Sequence, residues 1–434
     1  MKNASVWQLL LLFLSMSLPP RVTAGPTLSL GDMCRMADRS AEIILSAKDD
    51  CGIAIEDRKR ALANLLPWIQ ASGQQVSYRN NDASSPNTRT LGINIGQSYT
   101  LNGREFTYLA MAGKKVELTG YALESVRSDF LYNVANAFVS ILKAKQREQI
   151  ALAEINRLKI HLSHVQEQLA AGDVTRTDLH RAIAELAKAR TSQVSAHTQK
   201  AQNRADLVRM TGVDRAFSLD ERGLADINRK RFDPEEIKAD ALKTRADIRQ
   251  AKKALAIALD QIDYEKGNFW PALSVETGYR ETDVSYSLTA GRNYSYDTEE
   301  AYICADLSFN IYAGGYHRAA RQKALLEYKK ARQDLQVLEK QVIYEAEAAF
   351  LNFTAKKAIL VNLEQELAAA GENFNAVEEQ FRFGMKDSMD IMDANTLLVQ
   401  AEQNMADAGY DLSLSVLAIL YAKGRLTACL LVLP

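Results

Sequence analysis

Tyr316–Ala370 reads YHRAARQKALLEYKKARQDLQVLEKQVIYEAEAAFLNFTAKKAILVNLEQELAAA. The stretch contains neither proline nor glycine, and Ala, Leu, Glu, Lys, Gln and Arg dominate it, which predicts one long helix. Tyr121–Ala171 has the same character, and its 51 residues would reach roughly 75 Å as a helix. Helices of this length cannot fold back around one globular core. They must pack lengthwise in an elongated bundle or coiled coil.

Two other segments have the period of two that is typical of strands. Large apolar side chains alternate with small or polar ones in Leu91–Leu101 and in Ile303–Ile311. Another candidate strand precedes each segment and starts near Pro67 or Pro271. Polar stretches, predicted to be flexible, separate the members of each pair: Asn80–Arg89 and Thr289–Glu300. We therefore expect two pairs of strands, with about ten residues in each strand.

The two halves of the chain are related. When the chain is shifted along itself so that Phe130 falls on Val342, Phe130–Gly212 aligns with Val342–Gly424 without a gap. The same shift matches Gly172 with Gly384. Such a repeat indicates a duplicated module of strand, loop, strand, long helix, turn and long helix.

The N-terminus has the features of a secretory signal, with Lys2, the apolar run Val6–Leu18 and a small-residue cleavage site that ends at Ala24. Its removal takes away Lys2 and Arg21, which leaves 51 basic and 54 acidic residues and a net charge of -3. No basic excess indicates binding to nucleic acid.

Four cysteines are too few for a disulfide scaffold in a chain of 434 residues. Cys34 and Cys51 are able to pair in an oxidising periplasm, although one unbroken helix between them would hold them roughly 25 Å apart. The sequence leaves this disulfide open.

Asp233 and Pro234 predict a helix start with a capping aspartate and a proline at the first helical position. The predicted parts of the chain are the signal peptide 1–24, an N-terminal helical segment 25–63, a first strand pair 64–102, a first long-helix pair 103–213, an irregular segment 214–232, a helix 233–267, a second strand pair 268–312, a second long-helix pair 313–424 and a C-terminal tail 425–434.

The strands favour the wall of a membrane β-barrel, in which lipid-facing and water-facing side chains alternate. Four strands cannot close a barrel and an open edge cannot exist in lipid, so we expect three copies with twelve strands. The predicted lipid-facing side chains are Leu91, Ile93, Ile95, Ile303, Leu307, Phe309 and Ile311. The predicted water-facing side chains are Asn94, Ser98, Asp306, Ser308 and Asn310. A small β-sandwich fits the strand pattern as well, but it does not account for helices of this length.

Two motifs resemble a known family. Gly384–Leu398, a glycine turn followed by Asp-x-x-Asp-Ala at a helix start, is similar to the signature of TolC-type outer-membrane efflux proteins. Phe309–Gly315 resembles the strand-to-helix junction of that family. The resemblance implies a fold that is mainly α with β: a homotrimer with a twelve-stranded barrel in outer-membrane lipid and a long α-helical tunnel through the periplasm. It also implies two partners, a periplasmic adaptor (membrane fusion) protein and an inner-membrane transporter.

Asp390 and Asp393 lie three residues apart and therefore on one helix face. Asp387 and Asp390 also fit a capping box, which is the plainer interpretation of Asp390. The matching residues of the first repeat are Asp178 and Arg181, so only the second repeat carries an uncompensated acidic pair. Around a threefold axis the pair would become a ring of six carboxylates at the aperture.

The family's closing network uses an aspartate, a tyrosine and an arginine, and the matching residues here are Asp178, Phe381 and Lys386. Phe381 lacks the hydroxyl, and lysine lacks the bidentate fork of arginine. The resemblance therefore predicts a more loosely held closed state. The candidate residues for adaptor docking are those of the two helical turns: Gly172, Asp173, Gly384 and Met385.

Few residues indicate other chemistry. His161, His164 and Glu167 fit one helix face as metal ligands, but such spacing more often marks a solvated surface. No phosphate-binding loop, nucleophile elbow or paired-cysteine site is present in the sequence. We expect no enzyme and no cofactor, but an exit duct for efflux or type I secretion. The rival interpretation is a soluble periplasmic coiled-coil protein with a structural or adaptor role.

Overall fold

The computed structural model describes residues 27–79, 85–213, 217–222, 224, 231–288 and 292–432. The predicted signal peptide 1–24 lies outside these residues. The fold is mainly helical with one larger sheet, as the sequence predicts.

The helices are α1 (Leu30–Ser40), α2 (Glu42–Ala63), α3 (Arg104–Ala171), α4 (Arg176–Thr211), α5 (Pro234–Thr244), α6 (Ala246–Lys266), α7 (Tyr316–Arg382), α8 (Ser388–Ala422) and α9 (Leu426–Val432). The strands are β1 (Thr27–Leu28), β2 (Trp68–Val76), β3 (Asn87–Thr100), β4 (Ser218–Leu219), β5 (Ala272–Leu288) and β6 (Arg292–Ser308). A short parallel sheet joins β1 to β4.

The two long helices start at equivalent places in the repeat. Gly103 and Gly315, which match when the shift of the repeat is continued towards the N-terminus, take left-handed φ values of 72° and 85° immediately before α3 and α7. The helices are 68 and 67 residues long, so they extend beyond the glycine-free stretches of the sequence. Glycine costs about 1 kcal/mol in a helix interior. Lateral packing along helices of this length outweighs that cost.

The helices stand side by side in a fixed order. Next to the larger sheet the order is α2, α3, α6 and α7, and towards the far end it is α4, α3, α8 and α7. The largest apolar core lies where these two arrangements meet, and it joins α3 residues such as Phe138 and Leu142 to Leu417 of α8. Within the described residues, no helix combines the length and the apolar character that are needed to cross a bilayer.

The larger sheet has the order β2, β3, β5 and β6, and all its pairs are antiparallel. The two predicted strand pairs therefore join through β3 and β5. Each strand connects directly to one of the four helices beside the sheet, so strands and helices follow the same lateral order. In the described part of the chain, the outer edges of β2 and β6 have no strand beside them.

The predicted alternation of apolar and polar side chains is present in the strands. Ile95, Thr277 and Ile303 stand opposite one another and share one face of the sheet. On this face Leu91, Ile93, Ile95, Ile303 and Leu307 are 43%, 56%, 41%, 78% and 62% exposed, so no described part of the chain covers it. The other face carries Asn94, Ser98, Asp306 and Ser308.

The predicted ends of the second strand pair were wrong. β6 starts at Arg292, inside the stretch predicted to be flexible, because Tyr294, Tyr296 and their neighbours continue the pairing with β5. It ends at Ser308, so Phe309 and Ile311 lie beyond the strand and are 52% and 86% exposed. Asn310 also lies beyond it.

Predicted segment 233–267 contains two helices. The break falls at Arg245, whose largely buried side chain forms ion pairs with Asp247 at 2.7 Å and Glu345 at 2.6 Å. Asp233 does precede α5, although its side chain makes no capping hydrogen bond. The predicted tail 425–434 contains α9, whose Leu426 and Leu430 are buried.

Cys34 and Cys51, which the sequence left open as a disulfide pair, are not bonded to each other. Cys34 and Cys51 lie on separate helices, α1 and α2. Cys34 is buried in the apolar core, and the loss of hydration raises the pKa of its thiol to about 12.

Candidate functional site

The candidate site is the far end of the helical pairs, where two turns lie side by side. Gly172 ends α3 and Gly384 follows α7, with φ values of 87° and 70°. This left-handed conformation is the one in which glycine closes a helix at least cost. A cleft of about 920 Å³ separates the turns, and its lining includes Asp173, Asp178, Met385, Asp387 and Asp390.

The start of α4 is fixed by a capping box. The Thr175 hydroxyl donates to Asp178 Oδ2 at 2.7 Å, and the Thr175 backbone N–H donates to the same oxygen at 3.0 Å. Both hydrogen bonds lower the pKa of Asp178, and the one from the Thr175 side chain has the larger effect. Asp178 therefore holds the local backbone of its own chain.

The start of α8 repeats this device at the matching place in the second repeat. Asp387 accepts hydrogen bonds from the N–H groups of Met389 and Asp390, at 2.8 Å and 2.9 Å. Asp390 accepts the Asp387 N–H at 3.3 Å and pairs with Lys386 Nζ at 3.3 Å. The predicted capping box is therefore present, and Asp390 carries a compensating cation within its own chain.

Asp393 is in a different situation. It lies one turn further along α8, is exposed, and has no hydrogen bond or ion pair within the described residues. The two predicted ring residues are thus unequal, and the uncompensated charge belongs to Asp393.

Asp178, Phe381 and Lys386 share the cleft but are not bonded to one another within the chain. Phe381 is only 2% exposed and packs in a small core with Val165, Ala182 and Ile391. Its ring is therefore a core element of the far end.

Sequence reasoning missed a line of polar contacts between α3 and α8. Arg157 donates to Asn395 at 3.1 Å and to Glu402 at 3.0 Å, and Arg147 pairs with Asp407. Lys143 pairs with Asp411 at 2.7 Å. The signal was available, since basic residues at helical spacing on α3 match acidic residues in reverse order on α8.

His161 belongs to this line of contacts, and its burial contradicts the solvated surface that the sequence favours. Its Nε2 lies 2.9 Å from the Ser388 hydroxyl, and its ring stands 5.2 Å from that of Phe381. The described residues include no group of three His, Cys, Asp or Glu side chains that is placed to hold a metal ion. Burial, with a smaller contribution from His164, lowers the pKa of His161 to about 4, and Glu378 opposes the shift.

The shift predicts a pH dependence of the far end. Because the unfolded histidine titrates near 6.5 and the folded one near 4, the unfolded state gains a proton first on acidification. The contribution of His161 to the free energy of unfolding should therefore fall as the pH drops between these values, by up to about 3 kcal/mol per chain, and should not change above them. Amide hydrogen exchange over the start of α8, at pH 7 and 4.5, measures the effect.

Two variants control that experiment. His161→Gln should lose the acid-dependent exchange after correction for intrinsic rates, whereas His180→Gln, at an exposed position of α4, should behave like the parent. Equal pH responses in all three proteins would contradict the assignment.

Comparisons with known proteins agree on one family. The family described as Outer membrane efflux protein matches residues 54–213 and 238–425. Outer membrane protein TolC of Vibrio cholerae is 24% identical over 97% of this chain and 96% of that protein. A membrane protein from Pseudomonas aeruginosa has a similar fold, with a TM-score of 0.80 at 17% identity over 93% of this chain and 92% of its own. The outer membrane protein VceC from Vibrio cholerae gives 0.75 at 16% identity, over 91% and 96%.

Proposed function

We propose that three copies of this chain, which belongs to the outer membrane efflux protein family, close into one twelve-stranded duct that receives its cargo from a periplasmic partner. The protein is an outer-membrane channel with a tunnel in the periplasm, and family membership decides against a soluble adaptor. The observation that carries the trimer is the four-stranded sheet with two free edges.

Lipid requires each backbone N–H and C=O to find a partner, so the edges of β2 and β6 must pair with other copies. Strand directions alternate across the sheet, and β6 of one copy therefore meets β2 of the next as an antiparallel pair. Two copies would give a barrel of eight strands, and side chains would largely fill the interior of that barrel. Three copies leave room for water beside the polar face.

The helices support the same closure. α2 and α7 stand at the two ends of the row of helices beside the sheet, on the same sides as β2 and β6. One rotation about a common axis would therefore close strands and helices together. Leu326, Val337, Tyr344 and Leu351 of α7 fall on one helix face and are 55%, 68%, 67% and 60% exposed, which supplies apolar surface for such a contact.

A cysteine scan tests the trimer. Cys304 lies on β6 and is exposed, on the face that carries Asn94 and Asp306. A cysteine at Gln70, Ser72 or Gln74 of β2 points to that same face, so mild oxidation should link at least one of them to Cys304 of a neighbour. Denaturing electrophoresis should then show covalent species up to the trimer mass.

Ala71→Cys, on the opposite face of β2, should not form the link, and Cys304→Ser should abolish it. A folded monomer by native mass spectrometry in detergent, with no link from any scanned position, would contradict the closed trimer.

The two turns at the far end are the proposed docking surface for the adaptor. Phe383 and Met385 are 78% and 67% exposed there, although large apolar side chains are costly to leave in water. Gly172 and Gly384 keep both turns small, which permits close backbone approach. An inner-membrane transporter would deliver cargo through that adaptor.

Replacement of both exposed side chains, Phe383→Ser and Met385→Ser, should reduce export at least about tenfold while trimer yield stays unchanged, because neither side chain packs inside the chain. Export from cells and trimer yield in membranes are the two measurements. Val432→Ser, at an 82% exposed position on α9, is the control. Undiminished export would remove these side chains from the docking surface.

The proposed aperture depends mainly on Asp393. Three copies would bring three uncompensated Asp393 carboxylates and three Lys386–Asp390 pairs towards one axis. Low-dielectric helix walls focus such a field, which should attract multivalent cations.

Trivalent cations added on the periplasmic side of a planar bilayer should therefore block the pore. Asp393→Asn should weaken the block at least about tenfold, because it removes the unpaired charge. Asp390→Asn should weaken it less and destabilise the start of α8 by about 1 kcal/mol, since it impairs the capping box. If Asp393→Asn is blocked like the parent, the selectivity constriction lies elsewhere.

A further inference from the structure

Three tyrosines form a cluster at the end of the β5–β6 hairpin that is furthest from the helices. Ring centroids lie 6.3 Å apart for Tyr286 and Tyr294, 6.3 Å for Tyr286 and Tyr296, and 6.2 Å for Tyr294 and Tyr296. Tyr294 and Tyr296 are 58% and 42% exposed. Phenol rings at this exposure, with no apolar element of the described chain over them, are available to a ligand.

The register places these rings on the polar face of the sheet. Tyr286 stands opposite Tyr294, and Val284 opposite Tyr296, on the face that also carries Glu276 and Asp306 further along the strands. In the proposed barrel this is the face towards the duct. The tyrosines therefore do not belong to a lipid-facing aromatic belt.

The opposite face becomes strongly acidic at the same end of the hairpin. Glu281 stands directly opposite Glu299, and Asp283 opposite Asp297. Such like-charged pairs are unfavourable, and carboxylates are costly in hydrocarbon. This end of the hairpin must therefore stand in water outside the membrane, and the tyrosines lie at the outer mouth.

The duct face carries negative charge. Its described strand side chains include three acids, Glu276, Glu300 and Asp306, and one base, Arg280, which pairs with Glu300 at 2.7 Å. Among the described side chains of this face, Glu276 and Asp306 have no basic partner. Aromatic ring faces also carry negative potential, so rings and carboxylates attract the same charge type.

We propose that the nine tyrosines of a trimer, three from each chain, form a collar at the outer mouth that binds organic cations with an apolar body. The inference rests on the proposed trimeric duct. Carboxylates alone would attract small metal ions as well. The ring faces add preference for a large, weakly hydrated cation, which loses little hydration on contact with an aromatic surface. The collar would be the last contact of such a cargo before release.

Two probes of equal size and opposite charge test the collar. Tetraphenylphosphonium, added to the outer side of purified trimers in a planar bilayer, should reduce the current at concentrations at which tetraphenylborate does not. The triple variant Tyr286→Leu, Tyr294→Leu and Tyr296→Leu should weaken the phosphonium block at least about tenfold. The triple Tyr→Phe variant at the same positions should retain it, because the ring faces remain.

Tyr279→Leu is the matched control, since Tyr279 lies on the opposite face of β5, beside Ile93. It should leave the block unchanged. Equal block by both probes, or an unchanged block in the Leu variant, would overturn the collar. Higher current in the Leu variant with an unchanged block would assign the rings a steric role and would overturn it too. Absence of a conducting trimer would instead count against the proposed function.

Discussion

Unpaired backbone groups on two strand edges are the constraint on which the rest of the structure depends. The free edges of β2 and β6 carry N–H and C=O groups that have no partner within the described chain. Water satisfies such groups at a soluble edge, but lipid does not. In lipid, these N–H and C=O groups can therefore be paired only by assembly with other copies of the chain. The geometry of its helices must then be compatible with the same rotation axis, because each strand continues into a helix of the same lateral position.

Duplication supplies that compatibility. Both long helices start after a left-handed glycine, both turns contain one, and both returning helices start with a capping box, all at matching positions of the repeat. The two turns at the far end have the same backbone design but carry different charged side chains. Val174 and Arg181 of the first repeat correspond to Lys386 and Asp393 of the second. The unpaired carboxylate at this position therefore lies on one repeat only. A trimer whose helices have pseudo-sixfold symmetry would then carry charges with threefold symmetry only.

The sequence predicted the elements well where one physical requirement decides the residue type. Absence of proline marked the long helices, and apolar alternation marked the parts of the strands that need an apolar face. The sequence pattern did not predict the start of β6, next to the hairpin turn. Tyr-Ser-Tyr-Asp-Thr-Glu pairs with β5 there, although no apolar face is required. Gly371, the first residue after the glycine-free stretch, lies inside α7 and adds no break. Tertiary packing decides in both cases.

Side-chain partners were harder to predict than elements. His161 and His164 share a helix, but His161 is the one that packs against Ser388 and Phe381. Asp390 fitted both a ring and a cap, and only the structure places Lys386 beside it. In each case the missing information was the position of another helix or turn. Helix periodicity shows which residues share a face, but not which element the face meets.

The contacts between α3 and α8 change in character along the helices. Near the large core, Lys143 holds Asp411 at 2.7 Å, and Lys356 of α7 adds a second cation at 3.0 Å. Towards the turns, Arg157 binds Glu402, and the last polar contact between described residues of the two helices is the hydrogen bond between His161 and Ser388. That contact is neutral at pH 7 because burial lowers the pKa of His161 to about 4. A neutral hydrogen bond contributes less than a charge-assisted one. The polar contacts between α3 and α8 therefore weaken towards the start of α8, where Ile391 is held instead in the small apolar core with Val165 and Phe381.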